Sequence, residues 1–153
     1  MKKCEKNIIG YTAGVYDMFH VGHLNILKSA RQNCDYLIVG VNSDEATYKY
    51  KKKYPIIPEN ERMEIIEAIK YVDEVVLADD VVRVNEEGTI SVFEKYHFDM
   101  VFIGDDHKDM PRWQEVDMHL RQRGSKVWYL PYTKHISSSK LSVVLDKMVL
   151  ELE

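Results

Sequence analysis

The sequence predicts one α/β domain, with a five-stranded, mostly parallel sheet covered by helices on both faces. Three observations predict this fold class. The chain has 153 residues, the length of one ordinary domain, and we find no internal repeat or linker in it. Apolar runs of strand length alternate with segments of helical periodicity. One run, residues 36–41, is continuously apolar, which is typical of a strand covered on both faces.

The first third of the chain predicts two strands and two helices. Residues 7–12 (NIIGYT) form a short apolar run that predicts the first strand. Residues 21–33 predict a helix, because apolar side chains recur there at spacings of three and four. The apolar run 36–41 is the second strand. Residues 44–48 predict a short helix after it.

The middle of the chain begins with a predicted loop. Residues 49–58 carry two prolines and four lysines, which favours a loop. Residues 59–70 predict a helix with Met63, Ile66 and Ile69 on its inner face. The short run 74–77 predicts the third strand. Residues 89–96 predict another helix.

The last third repeats the alternation. Residues 100–103 (MVFI) and 126–130 (KVWYL) predict the fourth and fifth strands. The helix predicted between them, at 112–123, ends before Gly124, a typical position after a helix C-terminus. A final helix is expected over 138–152. Its apolar stripe consists of Leu141, Val144, Leu145, Met148 and Leu152.

Composition excludes several classes of protein. Apolar residues make up 45% and charged residues 30%, and the formal net charge of −4 gives no basic field for nucleic acid. No apolar run approaches the roughly 20 residues that span a bilayer, and the first six residues are not followed by the apolar segment of a signal peptide. Cys4 and Cys34 do not form a CxxC pair, so we expect reduced thiols and a cytoplasmic protein without nucleic-acid or membrane partners.

The segment after the first strand has the composition of a phosphate site. Gly14 allows a tight turn, and Gly22 allows a ligand to approach the backbone where the next helix begins. A helix N-terminus offers N–H groups and a partial positive charge. His20 and His23 are three residues apart and project from one side of that turn. Two histidines can also be incidental, but with no third clustered ligand we predict no protein metal site.

Residues 14–23 (GVYDMFHVGH) resemble the HxGH signature of the nucleotidyltransferase superfamily, and most closely its cytidylyltransferase branch, in particular the glycerol-3-phosphate cytidylyltransferases. The resemblance covers about residues 7–145. Four further segments are similar to segments of the family. They are residues 61–66 (ERMEII), 71–76 (YVDEVV), 104–106 (GDD) and 136–140 (ISSSK).

The resemblance implies a Rossmann-like fold, a homodimer, and transfer of a nucleotidyl group from CTP, accompanied by Mg²⁺, to a small phosphorylated alcohol. It also implies roles for individual residues. The expected catalytic residues are His20, His23, Lys51 and Arg62. The expected nucleotide-binding residues are Val15, Tyr16, Gly22, Asp105, Ile136, Ser137, Ser138 and Ser139. The expected acceptor-binding residues are Asp17 and Lys53.

Each of these side chains also has an ordinary structural explanation. A serine of the run 137–139 is a good helix N-cap, Arg62 alone would be a solvated helix charge, and Asp105 would be a turn residue. The lysines at 49–53 would form a solvated loop. The combination of segments, rather than any one of them, favours the functional interpretation.

One segment departs from the family, and two alternatives follow. Where family members often have an arginine ahead of the last helix, this chain has Tyr132, and Lys134 replaces an acidic residue. This leaves the acceptor open, since tyrosine does not replace a phosphate-binding guanidinium. The first alternative is an adenylyltransferase of the same superfamily acting on pantetheine phosphate, FMN or a heptose phosphate. The second is a nucleotide-binding module without catalysis.

Overall fold

The computed structural model describes residues 7–79 and 86–151. Within these ranges the chain forms five strands and six α-helices. The strands are β1 (Ile9–Gly14), β2 (Tyr36–Asn42), β3 (Glu74–Ala78), β4 (Met100–Gly104) and β5 (Lys126–Leu130). The helices are α1 (Val21–Arg31), α2 (Asp44–Lys51), α3 (Glu59–Glu67), α4 (Glu86–Tyr96), α5 (Pro111–Arg121) and α6 (Ser138–Leu150). One 3₁₀ turn, Asp105–His107, follows β4.

The five strands form one sheet in the order β3-β2-β1-β4-β5, and every pair is parallel. The predicted fold class is therefore confirmed. Successive strands run outward from β1 to β3 on one side, and β4 and β5 continue on the other. The direction of winding thus changes between β1 and β4, and ligands bind at such a point, beyond the carboxyl ends of the strands.

Two hydrophobic clusters lie on opposite faces of the sheet. On β2, Ile38 belongs to one cluster, while Leu37 and Val39 belong to the other, because successive strand residues point to opposite faces. The first cluster includes residues of α4 and α5, such as Trp113 and Leu120. The second includes residues of α1 and α3. This double burial explains why the β2 sequence is apolar at nearly every position.

Some helix boundaries differ from those expected. Helix α2 continues to Lys51 and ends at Lys52, which has φ +56°, a left-handed conformation that closes helices. The predicted loop is therefore shorter at its start. Helix α3 ends at Glu67 rather than Lys70, and α4 begins at Glu86 rather than Thr89. These shifts lie at helix ends, where local sequence determines structure least.

The apolar stripe predicted for helix α6 is mostly exposed in the structure. Leu141 is half-buried, but Val144, Leu145 and Met148 are 53%, 44% and 56% exposed, and Leu152 lies outside the described residues. Periodicity indicates that a helix has an apolar side, but not that the sheet covers that side. The start of α6 is instead held by polar contacts at the functional site.

Two further predictions concern thiols and membranes. Cys34 is buried without a disulfide, and burial raises the pKa of its thiol to about 11, so that it stays protonated at neutral pH. Cys4 lies outside the described residues. In the part of the chain that the structure describes, no helix is long and apolar enough to cross a membrane.

Candidate nucleotide-binding site

A cavity of about 510 Å³ lies beyond the carboxyl ends of β1 and β4, at the point where the winding changes direction. Fourteen residues were predicted to belong to the site, and twelve of them line this cavity. They are Val15, Tyr16, Asp17, His20, Gly22, His23, Lys51, Lys53, Ile136, Ser137, Ser138 and Ser139. The other two, Arg62 and Asp105, do not. The fold therefore brings together segments that are more than 100 residues apart in the sequence.

The two histidines form a compact pair at the start of α1. Their rings stack with centroids 3.9 Å apart. His20 is the N-cap of the helix, and its Nδ1 accepts a hydrogen bond from the Gly22 N–H at 3.0 Å. The His23 Nδ1 accepts one from the His20 N–H at 3.3 Å. Because Nδ1 of each ring is an acceptor, each neutral ring carries its proton on Nε2, where it can donate to a ligand.

Gly22 has a packing reason to be glycine. A Cβ built on it would lie 2.7 Å from the His20 Cε1 and 2.9 Å from Nδ1. The absence of a side chain therefore lets the imidazole of His20 fold back over the first turn of the helix. The same absence lets a ligand approach the backbone of this turn closely.

Burial lowers the pKa of His20 below its ordinary value of 6.5, and the nearby His135 lowers it further. Protonation would add a hydrogen to Nδ1, so that both ring nitrogens carried one. Nδ1 could then no longer accept the Gly22 N–H. His20 is therefore neutral at pH 7. A neutral imidazole can still donate from Nε2 to a phosphoryl oxygen.

We predict that histidine resonances of the unliganded protein will show His20 titrating with a midpoint below pH 6.5. Its nitrogen shifts should report the Nε2–H tautomer. Spectra of His20→Gln assign the signal. In His135→Ala the midpoint should rise but stay below 6.5, because burial is the larger cause. A midpoint at or above 6.5 in the unsubstituted protein would contradict the assignment.

The loop between β1 and α1 has an unusual backbone. Tyr16 and Met18 have φ values of +56° and +48°, in the left-handed region that costs residues with a side chain about 1–3 kcal/mol each. Asp17 lies between them, and its two carboxylate oxygens accept the N–H groups of Ile56 and Ile57, both at 2.9 Å. Asp17 thus holds the loop after α2 against the cavity. Its contact with an acceptor stays a prediction.

Arg62 does not occupy the predicted position. Its side chain has no exposed surface, and its guanidinium donates to the Ile57 carbonyl at 2.8 Å, to the Asp44 carboxylate at 2.6 Å and to the Val15 carbonyl. A side chain enclosed in this way cannot reach a bound phosphate. We therefore correct the predicted catalytic role. Arg62 is a positioning residue that ties the loop after β1 to α2 and to the loop before α3.

Asp105 also lies outside the cavity, and its contact with a nucleotide stays a prediction. Its Oδ1 accepts the N–H of Tyr132 at 3.0 Å, and it does not line the cavity. Its neighbour Asp106 does. Gly104 makes room for Asp106, because a Cβ at Gly104 would lie 2.4 Å from the Asp106 Oδ1. The sequence identified the correct turn, but the choice between two adjacent aspartates depended on the geometry of the 3₁₀ turn.

The serine run begins α6 at the cavity. Ser137 is the N-cap, and its Oγ accepts the N–H of Lys140 at 3.2 Å. Ser138 donates from its Oγ to the backbone oxygen of Asp17 at 2.6 Å, which links this helix to the loop before α1. The first N–H groups of a helix lack partners within it. The cavity therefore has two helix N-termini, those of α1 and α6, both suited to phosphate.

Several cavity residues were not among those predicted for the site. Arg112 and Trp113 lie at the start of α5, with the guanidinium carbon 4.8 Å from the centroid of the indole ring. Tyr132, which replaces the arginine of the family, lines the cavity at 40% exposure. The sequence does indicate the position of Arg112 and Trp113, since Pro111 marks the start of a helix directly after a strand and a turn.

Lys53 contacts α6. Its Nζ donates to the Ser142 Oγ at 2.7 Å and lies 3.8 Å from the Asp146 Oδ2. Ser142 and Asp146 also line the cavity. Lys51 lies on the cavity wall at the end of α2, so the two lysines reach it from either side of the α2 terminus.

Among the described residues, no three His, Cys, Asp or Glu side chains are grouped so that they could hold a metal ion. The cavity does contain single carboxylates such as Asp106. A Mg²⁺ ion in such a site usually keeps its waters and binds one or two carboxylates together with substrate phosphates. This donor set is therefore compatible with a metal that enters with a triphosphate.

The chain is similar to two groups of curated proteins. It is 31% identical to the FAD synthase of Thermococcus kodakarensis over 153 residues, which covers 97% of each chain. It is 36% identical to a probable ethanolamine-phosphate cytidylyltransferase of Encephalitozoon cuniculi over 117 residues, which is 76% of this chain and 34% of that protein. The chain thus spans about a third of the length of that relative.

A solved structure and a family model agree with these similarities. The lipopolysaccharide core biosynthesis protein of Thermoplasma volcanium superposes with a TM-score of 0.66 at 27% identity, over 86% of this chain and 100% of that one. The family model described as cytidylyltransferase-like matches residues 11–142, which contain the histidine pair, all five strands except the start of β1, and the serine run. The chain therefore belongs to the cytidylyltransferase-like family.

Proposed function

We propose that this protein transfers a cytidylyl group from CTP to a small phosphorylated alcohol and releases pyrophosphate. The observation that carries the proposal is the stacked pair of His20 and His23, which lies at a helix N-terminus inside the cavity at the change of winding. Two imidazole donors, two helix N-termini and a lysine suit a polyphosphate better than any uncharged ligand.

The proposed reaction is one in-line displacement. An oxygen of the acceptor phosphate attacks the α-phosphorus of CTP, the bond to the oxygen bridging the α- and β-phosphorus breaks, and pyrophosphate leaves with that electron pair. Such chemistry depends on positioning and on stabilising charge, so no covalent intermediate with the protein is required.

The side chains have separate tasks in this proposal. His20 and His23 donate from Nε2 to the α-phosphate as negative charge grows there. Lys51 and the first-turn amides of α6 bind the β- and γ-phosphates. Lys53 pairs with the phosphate of the acceptor. Mg²⁺ would be held by the triphosphate with Asp106 on the cavity wall, and it would neutralise phosphate charge.

Two candidate acceptors have separate support. The motif resemblance implies glycerol 3-phosphate, which would give CDP-glycerol. The curated relative from Encephalitozoon is named for ethanolamine phosphate. Ribitol and choline phosphates are further members of the same class. Tyr132 in place of an arginine removes a cation from the cavity wall, which favours an acceptor of lower negative charge.

A second candidate is adenylyl transfer to FMN. It is favoured by one observation, the match to FAD synthases over 97% of both chains. A non-catalytic nucleotide-binding module is the third possibility.

Pyrophosphate release separates these candidates. We expect release with CTP and Mg²⁺ together with a small phosphorylated alcohol, and much less with ATP, GTP or UTP. The acceptors to compare are glycerol 3-phosphate, ethanolamine phosphate, choline phosphate, ribitol phosphate and FMN. Pyrophosphate release that occurs only with ATP and FMN would indicate adenylyl transfer to FMN instead. Tight CTP binding without pyrophosphate release for any acceptor would support a non-catalytic nucleotide-binding module.

The predicted homodimer is also a proposal. It is supported by the apolar side of α6, where Val144, Leu145 and Met148 are about half exposed, since a second copy of this chain could cover it. Sedimentation equilibrium tests it, with a mass near 36 kDa, twice the 18.0 kDa of the chain, as the expected result. The cytoplasmic location stays a prediction.

A further inference from the structure

Ser142 and Asp146 form an oxygen-rich pair on α6, which we call the α6 pair. They are four residues apart, so they lie on one face of the helix, and both line the cavity. The ammonium of Lys53 is bound between them, 2.7 Å from the Ser142 Oγ and 3.8 Å from the Asp146 Oδ2. The α6 pair is thus already arranged to bind a primary ammonium at the cavity wall.

The α6 pair differs from the rest of the described wall, most of which suits anions. Three carboxylates line the described cavity: Asp17, Asp106 and Asp146. Asp17 uses both oxygens on backbone N–H groups, and Asp106 lies 3.6 Å from the His107 Nε2. The side chain of Asp146 is 69% exposed. It is the carboxylate best able to contact a ligand that carries a positive charge.

The contact between Lys53 and Asp146 can be exchanged. Both side chains are more than half exposed, and exposed ion pairs of this kind contribute little to stability, because water screens them. A phosphate monoester is a stronger partner for an ammonium than one carboxylate, because it carries more negative charge on three terminal oxygens. When an acceptor phosphate pairs with Lys53, the carboxylate of Asp146 is left facing the remainder of the acceptor.

We propose that Asp146, assisted by Ser142, determines acceptor specificity by binding a positively charged group on the alcohol. The acceptor is then a phosphorylated amino alcohol, whose phosphate contacts Lys53 while its ammonium contacts Asp146. This inference rests on the proposed function. Lys53 and Asp146 present opposite charges 3.8 Å apart, which complements a zwitterion. A phosphorylated polyol would place only neutral hydroxyls and negative charge against Asp146.

The test compares two acceptors in two variants. We expect the unsubstituted protein, with saturating CTP, to have a higher kcat/KM for ethanolamine phosphate than for glycerol 3-phosphate. Asp146→Asn should lower kcat/KM for ethanolamine phosphate roughly tenfold or more, mainly through KM, because a charge-assisted bond is lost. Its kcat/KM for glycerol 3-phosphate should stay the same or rise. Glu151→Gln, at the end of the same helix and outside the cavity, is the matched control and should change neither value.

Other outcomes overturn the inference. Equal losses for both acceptors in Asp146→Asn would mean that Asp146 only positions Lys53. A preference of the unsubstituted protein for glycerol 3-phosphate would also overturn it. So would pyrophosphate release that occurs only with ATP and FMN. If no acceptor gives pyrophosphate, the proposed function is wrong, but the inference about Asp146 can still be tested by binding. Calorimetry then measures the affinity of the CTP-loaded protein for ethanolamine phosphate. Weaker binding by Asp146→Asn, by tenfold or more, supports it, and equal binding by both proteins overturns it.

Discussion

His23→Ala should lower turnover by about 100- to 1000-fold while the protein stays folded, because it removes one donor aimed at the charge that develops on the α-phosphate. The stacked geometry with His20 is the reason for expecting so large an effect. The fold should survive, although the loss of the bond from the His20 N–H to the His23 Nδ1 weakens the start of α1 by about 1 kcal/mol. Pyrophosphate release measures turnover, and circular dichroism measures folding.

The matched control is His119→Ala. His119 lies on α5 and does not line the cavity, so its removal should leave turnover nearly unchanged. His23→Gln is a second useful variant, because its amide retains a donor without an imidazole. Turnover close to the unsubstituted value in His23→Ala would exclude the role that we assign to this side chain.

Arg62→Ala should lower the free energy of unfolding by about 2–4 kcal/mol, because it leaves buried polar partners unpaired, although Asp44 keeps 32% of its side chain exposed to water. The substitution leaves the carboxylate of Asp44 and the carbonyls of Val15 and Ile57 without their shared donor. Arg62→Lys should recover little of this loss, because an ammonium cannot reproduce the planar, forked guanidinium. Urea denaturation followed by fluorescence measures the effect.

Arg123→Ala is the control, because it removes one positive charge without removing buried contacts. Arg123 is exposed and donates to the His119 carbonyl, and its loss should change stability by no more than about 0.5 kcal/mol. A variant Arg62→Ala with undiminished stability but abolished turnover would contradict the structural role. That result would restore the direct phosphate contact predicted from the sequence.

Much of the fold followed from the sequence because its signals are local. Strand β2 is apolar at nearly every position and is buried on both faces after Tyr36, as a central parallel strand requires. The histidine pair was also predictable, because one continuous segment contains the strand, the turn, the glycine and the helix start that place both rings. Its geometry depends on contacts no more than three residues apart in sequence.

Where the prediction failed, the deciding contacts were distant in sequence. Arg62 looked like a solvated helix charge or a phosphate ligand, but its partners include Val15, 47 residues away, and Asp44, 18 residues away. Asp105 and Asp106 are indistinguishable by composition. The bond from the Tyr132 N–H, 27 residues along the chain, determines which of them turns away from the cavity.

The sequence by itself therefore determined the order of strands and helices, the parallel sheet and the position of the histidine pair, since periodicity and helix capping depend on neighbouring residues. The tertiary structure decided which charges are buried, which aspartate faces the cavity, and that the apolar side of α6 is exposed. It also decided that Lys53 contacts Asp146. The physical reason is that burial and ion pairing depend on which distant segments approach one another, and local periodicity carries no information about that.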